Sequence, residues 1–172
     1  MIKNNQGVTL VELIVVILIM GILAGTAMIG MKSIDAGNAQ STVNRVSALL
    51  DYVQVENMSK DKTYYLVIEK SGSSYIAKVQ YDQSGTRKDV LTEKLKLKDG
   101  AVTYYTNAGA AETAYTVDDI AVPSVTLEIS YNKGSGDFHI GSSGEIKRIV
   151  ISAAGRTHTI YLVTATGKHY IE

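Results

Sequence analysis

Residues 7–31 read GVTLVELIVVILIMGILAGTAMIGM; residues 13–31 hold no charged side chain, and residues 8–30 hold one, Glu12. As a helix, residues 8–30 would be about 35 Å long at 1.5 Å per residue. The hydrocarbon core of a bilayer is about 30 Å thick. The run is rich in Ile, Leu and Val on every helical face, whereas an amphipathic helix resting on a water-soluble core keeps one polar side. The segment is therefore expected to span a membrane. No second stretch of this kind follows Lys32, so the rest of the chain is expected on one side.

Glu12 is what a plain apolar span does not explain. A carboxylate well inside such a span costs roughly 2.5–3.5 kcal/mol on insertion scales, so it calls for a partner, unless it lies near the interface and reaches out to water. Three readings of the segment compete. A cleaved secretory signal fits Gly25-Thr26-Ala27 as a small-x-small site, but Lys3 is its only positive residue and Glu12 interrupts its apolar stretch. A single-pass anchor would keep Lys3 and the amino terminus cytoplasmic, a signal that Lys32 on the far side weakens. Neither provides for Glu12.

The third reading rests on Lys3-Asn4-Asn5-Gln6-Gly7-Val8-Thr9-Leu10-Val11-Glu12-Leu13. This stretch resembles the leader junction of type IV pilins and pseudopilins. The resemblance implies a leader of residues 1–7, cut after Gly7 on the cytoplasmic side by a prepilin peptidase, and N-methylation of the new terminus at Val8. It also implies that Glu12, fifth residue of the mature chain, is an assembly contact. The exposed amine of one subunit would neutralise the buried Glu12 of its neighbour, and in an apolar surround such pairing sets register. Val8 departs from the phenylalanine usual at that position. The proline common near the end of the apolar run is also missing, so any loosening there would fall to Gly21, Gly25 and Gly30.

Downstream, Ala39, Val43, Val46, Leu50 and Val53 fall on one side of a helix at 100° per residue, with Arg45, Tyr52 and Glu56 opposite. One nearly continuous helix is expected over residues 8–58, about 75 Å long: a span or filament-core half at 8–30 and an amphipathic continuation at 31–59. From residue 60 the period becomes two. Strands are expected at 64–70 and 75–81 around Ser71-Gly72-Ser73-Ser74, and through Leu91, Leu95 and Leu97 alternating with Lys94, Lys96 and Lys98. Others are expected at 101–106, 125–131, 146–152, 157–164 and 169–171. Residues 107–113, 132–137 and 141–144 read as loops or turns, as does Asp118-Asp119. The fold class is α+β: a long N-terminal helix, its first half transmembrane, packed on an antiparallel β head at 60–172. That is the architecture of pilin-like proteins. A nearly all-strand head ending in Gly-basic turns, Gly155-Arg156 and Gly167-Lys168, further resembles the H-type minor pseudopilins and their pilus counterparts (GspH/FimT).

Composition narrows the chemistry. The 172 residues hold no cysteine, so disulfides, thiolate metal sites and a cysteine nucleophile are excluded. Seventeen basic and seventeen acidic residues balance, which argues against a general nucleic-acid binder. No phosphate loop, zinc-protease helix or nucleophile elbow occurs. His139, His158 and His169 lack ligand-like spacing. Asp82-Gln83-Ser84-Gly85 and Asp118-Asp119 match no full calcium loop. No cofactor, metal or catalytic residue is expected, and the chain is read as a non-enzymatic subunit of a type IV pilus or type II secretion pseudopilus. Its expected partners are the prepilin peptidase, other pilin subunits and the membrane. Its expected place is the cytoplasmic membrane, head outward, and then the filament. One alternative is a DNA-binding minor pilin using Arg156 and Lys168, among the basic residues near the C-terminus. Another is a membrane-anchored sensor or enzyme that keeps residues 1–7.

Overall fold

The computed structural model describes residues 10–97, 99–108, 111–118, 125–139 and 144–172, with side chains of 24–36, 108 and 111 left aside. The element order is one helix, α1 (Leu10–Ser59), then nine strands: β1 (Tyr64–Ser71), β2 (Ser74–Gln83), β3 (Thr86–Leu95), β4 (Ala101–Ala108), β5 (Ala111–Thr116), β6 (Leu127–Ser130), β7 (Glu145–Ala153), β8 (Arg156–Val163) and β9 (Lys168–Ile171). The chain divides into two compact units, Met1–Ile34 and Asp35–Glu172. The class is the expected one, a helix followed by antiparallel sheet. Among the described residues no helix is long and apolar enough to cross a membrane. The leader, the cleavage position at Gly7 and Val8, and residue 9 lie outside the described residues, as do the side chains over 24–30.

In the larger unit the strands form two antiparallel sheets, ordered β3-β2-β1-β6 and β5-β4-β7-β8-β9. The helical stripe Ala39, Val43, Val46, Leu50 and Val53 is wholly buried. It shares one core with Leu66 and Ile68 of β1, Val79 of β2, Val102 of β4, Ile149 and Ile151 of β7, and Ile160 of β8. Burying the four larger stripe side chains contributes about 6–12 kcal/mol of transfer free energy, before entropy. The stripe is thus the wedge on which both sheets close. Arg45 and Tyr52 are exposed as expected. Glu56 is half-buried and ion-paired with Lys60 at 2.5 Å.

Two hairpins turn on consecutive left-handed residues: Ser84 (φ 54°) with Gly85 (φ 83°) between β2 and β3, and Ala154 (φ 52°) with Gly155 (φ 76°) between β7 and β8. This is the primed geometry whose twist matches the flanking strands. Asp82 Oδ1 accepts the Gly85 N–H at 2.9 Å and steadies the first turn.

Three expectations are corrected. Residues 107–113 are not a loop: β4 runs to Ala108 and β5 resumes at Ala111, with Thr106↔Thr113 and Asn107↔Glu112 in register. Their Ala/Gly composition hides a hairpin held by cross-strand pairs, Tyr104 stacked on Tyr115 at 5.4 Å and Thr103 bonded to Thr116 at 3.1 Å. The strand expected at 125–131 shortens to β6, flanked by the single bridges Asp118↔Val125 and Tyr131↔Phe138. The strand around Leu91–Leu97 instead begins at Thr86 and ends at Leu95. It is an edge strand, with a bulge opposite Val79 and Gln80. Edge position leaves Val90 and Leu91 exposed while Leu95 and Leu97 are buried. Lys98, Asp119 and residues 141–143 lie outside the described residues.

Candidate functional site

In the smaller unit, α1 from Leu10 to Leu23 presents twelve large apolar side chains, each 46–76% exposed. They surround the helix, because residues 13–20 are all Leu, Ile, Val or Met. Soluble monomers rarely expose a contiguous apolar surface of this extent; such surfaces mark association or membrane contact. Covering the remaining half of each side chain is worth about 1 kcal/mol apiece, so covering the described stretch yields about 10 kcal/mol or more. Glu12 stands exposed in the first described turn of this helix.

The other expected contacts lie on the five-stranded sheet. Arg156 opens β8 and Lys168 opens β9, opposite Val163 at the far end of β8. Seven residue steps separate those ends, about 23 Å at 3.3 Å per residue. The two also sit on opposite faces by strand alternation, since Lys168 pairs with Val163 and Arg156 falls on the parity of buried Ile160 and Leu162. The fold does not bring them together. Nearby cations are engaged: Arg148 with Glu112 at 2.7 Å and Lys147 with Glu145 at 2.6 Å. The hydrogen bond to Glu112 raises the Arg148 pKa above its ordinary value. Lys147 first, and the Thr164 hydroxyl second, hold the Glu145 carboxyl below its ordinary value.

The histidines are scattered. His139 Nδ1 lies 3.1 Å from Asn132 Oδ1, and His169 Nε2 lies 2.8 Å from Ser47 Oγ. Nε2 of His158 is buried with no hydrogen-bond partner among the described residues. No three His, Asp or Glu side chains gather as a metal site among the described residues. Asp82 is occupied in its hairpin turn, and Asp118 pairs with Lys70 at 3.6 Å.

Two features escaped the sequence. One is Asn57, fully buried at the end of α1, whose side chain bonds both backbone groups of Tyr64. A lone Asn near a helix end carries no pattern that marks it. The other is a cross-strand row containing Tyr105, Arg148, Tyr161 and Tyr170. The abundance of tyrosine signalled strands, but register alone assembles the row.

A long helix with an all-round apolar N-terminal part, followed by an antiparallel two-sheet head, defines the class of a helix-tethered β domain. Residues 2–28 match the family model of the prokaryotic N-terminal methylation motif. The chain therefore carries the motif of type IV pilin-like and pseudopilin-like proteins, a structural rather than enzymatic kind. Comparison with curated proteins and with solved structures gives no match.

Proposed function

We propose that this chain is a non-enzymatic filament subunit, a minor pilin or pseudopilin of a type IV pilus or type II secretion pseudopilus. The observation that carries the reading is the apolar helix Leu10–Leu23, exposed on all sides and overlapping the methylation motif. A prepilin peptidase would cut between Gly7 and Val8 and methylate Val8. Before assembly the apolar helix would lie in the cytoplasmic membrane, with the head outside. During assembly it would exchange lipid for the apolar helices of other subunits, a transfer that costs little because both surroundings are apolar. Glu12 makes the exchange specific: a carboxylate in that apolar setting is unfavourable, and the amine at Val8 of a neighbour offsets its charge. A DNA-binding role would require Arg156 and Lys168 to act separately, since they stand at opposite ends and on opposite faces of the sheet.

The test is the intact mass and N-terminal sequence of the protein from its own host, with and without the peptidase, together with a Glu12→Ala variant. The expected result is a peptidase-dependent start at methylated Val8, and a Glu12→Ala chain that is still trimmed but fails to enter filaments. A start at Met1 in both backgrounds would leave only an anchor and overturn the reading. A start after Ala27 would make the chain a secreted β domain and do the same.

A further inference from the structure

The outer faces of the two sheets differ in how many tyrosines they align. On the four-stranded sheet the outer side chains include two ion pairs, Lys78 with Glu69 and Arg87 with Glu128 at 2.6 Å and 2.8 Å, and a hydrogen bond from Gln80 to Asp89 at 2.7 Å, with Arg87 also lying 3.9 Å over the Tyr65 ring. On the five-stranded sheet, Ile149, Ile151 and Ala153 of β7 are buried and alternate with Arg148, Val150 and Ser152 outside. Register carries the outer parity across every strand. Ala114 of β5 faces Tyr105 of β4, Tyr105 faces Arg148 of β7, Arg148 faces Tyr161 of β8, and Tyr161 faces Tyr170 of β9. Four inter-strand spacings of about 4.8 Å make this row about 19 Å long. The Arg148 guanidinium sits 4.0 Å from the Tyr105 ring centroid, and the Tyr161 and Tyr170 rings stack at 5.1 Å and 18°. The adjoining row is Thr116, Thr103, Val150 and Thr159, with Ser152 and Thr157 beyond. Tyr170 is 55% exposed.

The geometry points to a carbohydrate-binding face: the row Tyr105–Arg148–Tyr161–Tyr170, with the threonine row beside it, takes a neutral extended polysaccharide. A sugar ring has an apolar C–H face that stacks on an aromatic ring and a rim of hydroxyls that needs partners. The tyrosines, exposed Tyr170 above all, supply rigid rings with a polar tip, and the threonine hydroxyls beside them supply donors and acceptors. Charge complementarity selects the occupant. The guanidinium in the row is already committed to Glu112 at 2.7 Å, which adds a carboxylate to the same face. Lys147, paired with Glu145 at 2.6 Å, and Lys168 at the rim are the other cations of this face among the described residues of these strands. A phosphate polymer needs several free cations along its track, and this face does not offer them. The inference stands apart from the filament reading, because nothing in it uses α1.

The experiment titrates the full-length protein in mild detergent with cellohexaose and chitohexaose by calorimetry, and measures pull-down on insoluble cellulose and chitin. Binding to at least one of these is expected, nearly independent of salt. Tyr161→Ala and Tyr170→Ala should each weaken it about tenfold or more, and Tyr52→Ala, an exposed tyrosine of α1 outside the row, should leave it unchanged. Tyr170 lies on a four-residue edge strand, so Tyr170→Ala decides the matter where Tyr161→Ala fails to fold. No binding to any of the four probes would overturn the proposal, as would binding indifferent to both row substitutions. Salt-sensitive binding of oligothymidylate in place of the sugars would assign the face to single-stranded nucleic acid. Loss of filament entry by Tyr170→Ala, with no sugar bound by the parent, would assign it to contact between copies. Both of these results also overturn it.

Discussion

Asn57 joins the helix to the first strand and can be tested alone. It is fully buried; its Nδ2 donates to the carbonyls of Val53 and Tyr64, each at 2.9 Å, and its Oδ1 accepts the Tyr64 N–H at 2.9 Å. Tyr64 is itself buried. In Asn57→Ala both backbone groups of Tyr64 lose this partner at a buried position. The Val53 carbonyl suffers less, because a helix-interior carbonyl already accepts from the N–H four residues on. An unsatisfied buried group costs about 1–3 kcal/mol, so the substitution should destabilise the head by about 2–5 kcal/mol, a large part of the 5–15 kcal/mol typical of a domain. With a urea slope of about 2 kcal/mol/M, the midpoint falls by about 1–2.5 M at unchanged slope. The assay is urea unfolding of the full chain in mild detergent, followed by tyrosine emission, which the absence of tryptophan leaves unobscured. Asn57→Asp keeps the acceptor for the Tyr64 N–H but turns a carboxylate oxygen toward the Tyr64 carbonyl. It should be as damaging at neutral pH and recover in part in acid, where the protonated carboxyl can donate. Stability of Asn57→Ala within about 0.5 kcal/mol of the parent would refute the reasoning.

Other predictions use the same unfolding measurement. Leu50→Ala, in the wholly buried stripe, should cost about 2–5 kcal/mol, while Val55→Ala, at a position 62% exposed, should stay within about 0.5 kcal/mol. Gly167→Ala should cost more than Gly155→Ala. Both glycines are left-handed, but a Cβ at Gly167 would meet the Gly136 carbonyl oxygen at 1.9 Å, whereas Gly155 faces open space. Gly155→Ala therefore bears only the left-handed backbone penalty of about 1–2 kcal/mol. The Glu145 carboxyl lies below its ordinary value of 4.5 in the folded chain, through Lys147 and then Thr164. Its contribution is present above the ordinary value and lost as pH falls through the depressed one. Glu145→Gln should flatten that acid-side decline in a pH series of melts, with little change in its slope above neutrality.

The helix was legible because burial imposes one period on contiguous residues: Ala39, Val43, Val46, Leu50 and Val53 repeat at helical spacing and all reach zero exposure. The central hairpins were legible for a like reason, alternation plus a glycine that the turn requires. What stayed hidden is mostly edge. The first half of β3 is Thr86-Arg87-Lys88-Asp89-Val90, and β5 is Ala-rich; both are edge strands. An edge strand is paired on one side only, so solvent shapes its composition as much as the core does. The split into two sheets was hidden as well. The path leaves the second sheet after β5, adds β6 beside β1, and returns at β7, and no local pattern in the chain marks that crossing. The expected cleavage position at Gly7 and Val8 lies outside the described residues and stays a reading of one stretch of sequence.

Distance along the chain therefore misleads in both directions on this head. Arg156 and Lys168 are twelve residues apart, each follows a glycine, and the sequence presents them as a pair. Two successive hairpins built on the eight-residue strand β8 must put their turns at opposite ends of it. The pair is separated by the same glycines that made it look like one. Tyr105 and Tyr161 are 56 residues apart with nothing in common but their ring, yet both face Arg148 across the ladder. A bulge between Tyr105 and Thr106 breaks the register of β4 with β7 immediately beyond that contact. A slip of one residue there would turn Arg148 into the core and Ile149 out to solvent. Burial of Ile149 and Ile151 forbids that slip, so the packing that stabilises the inner face also fixes the tyrosine row on the outer one.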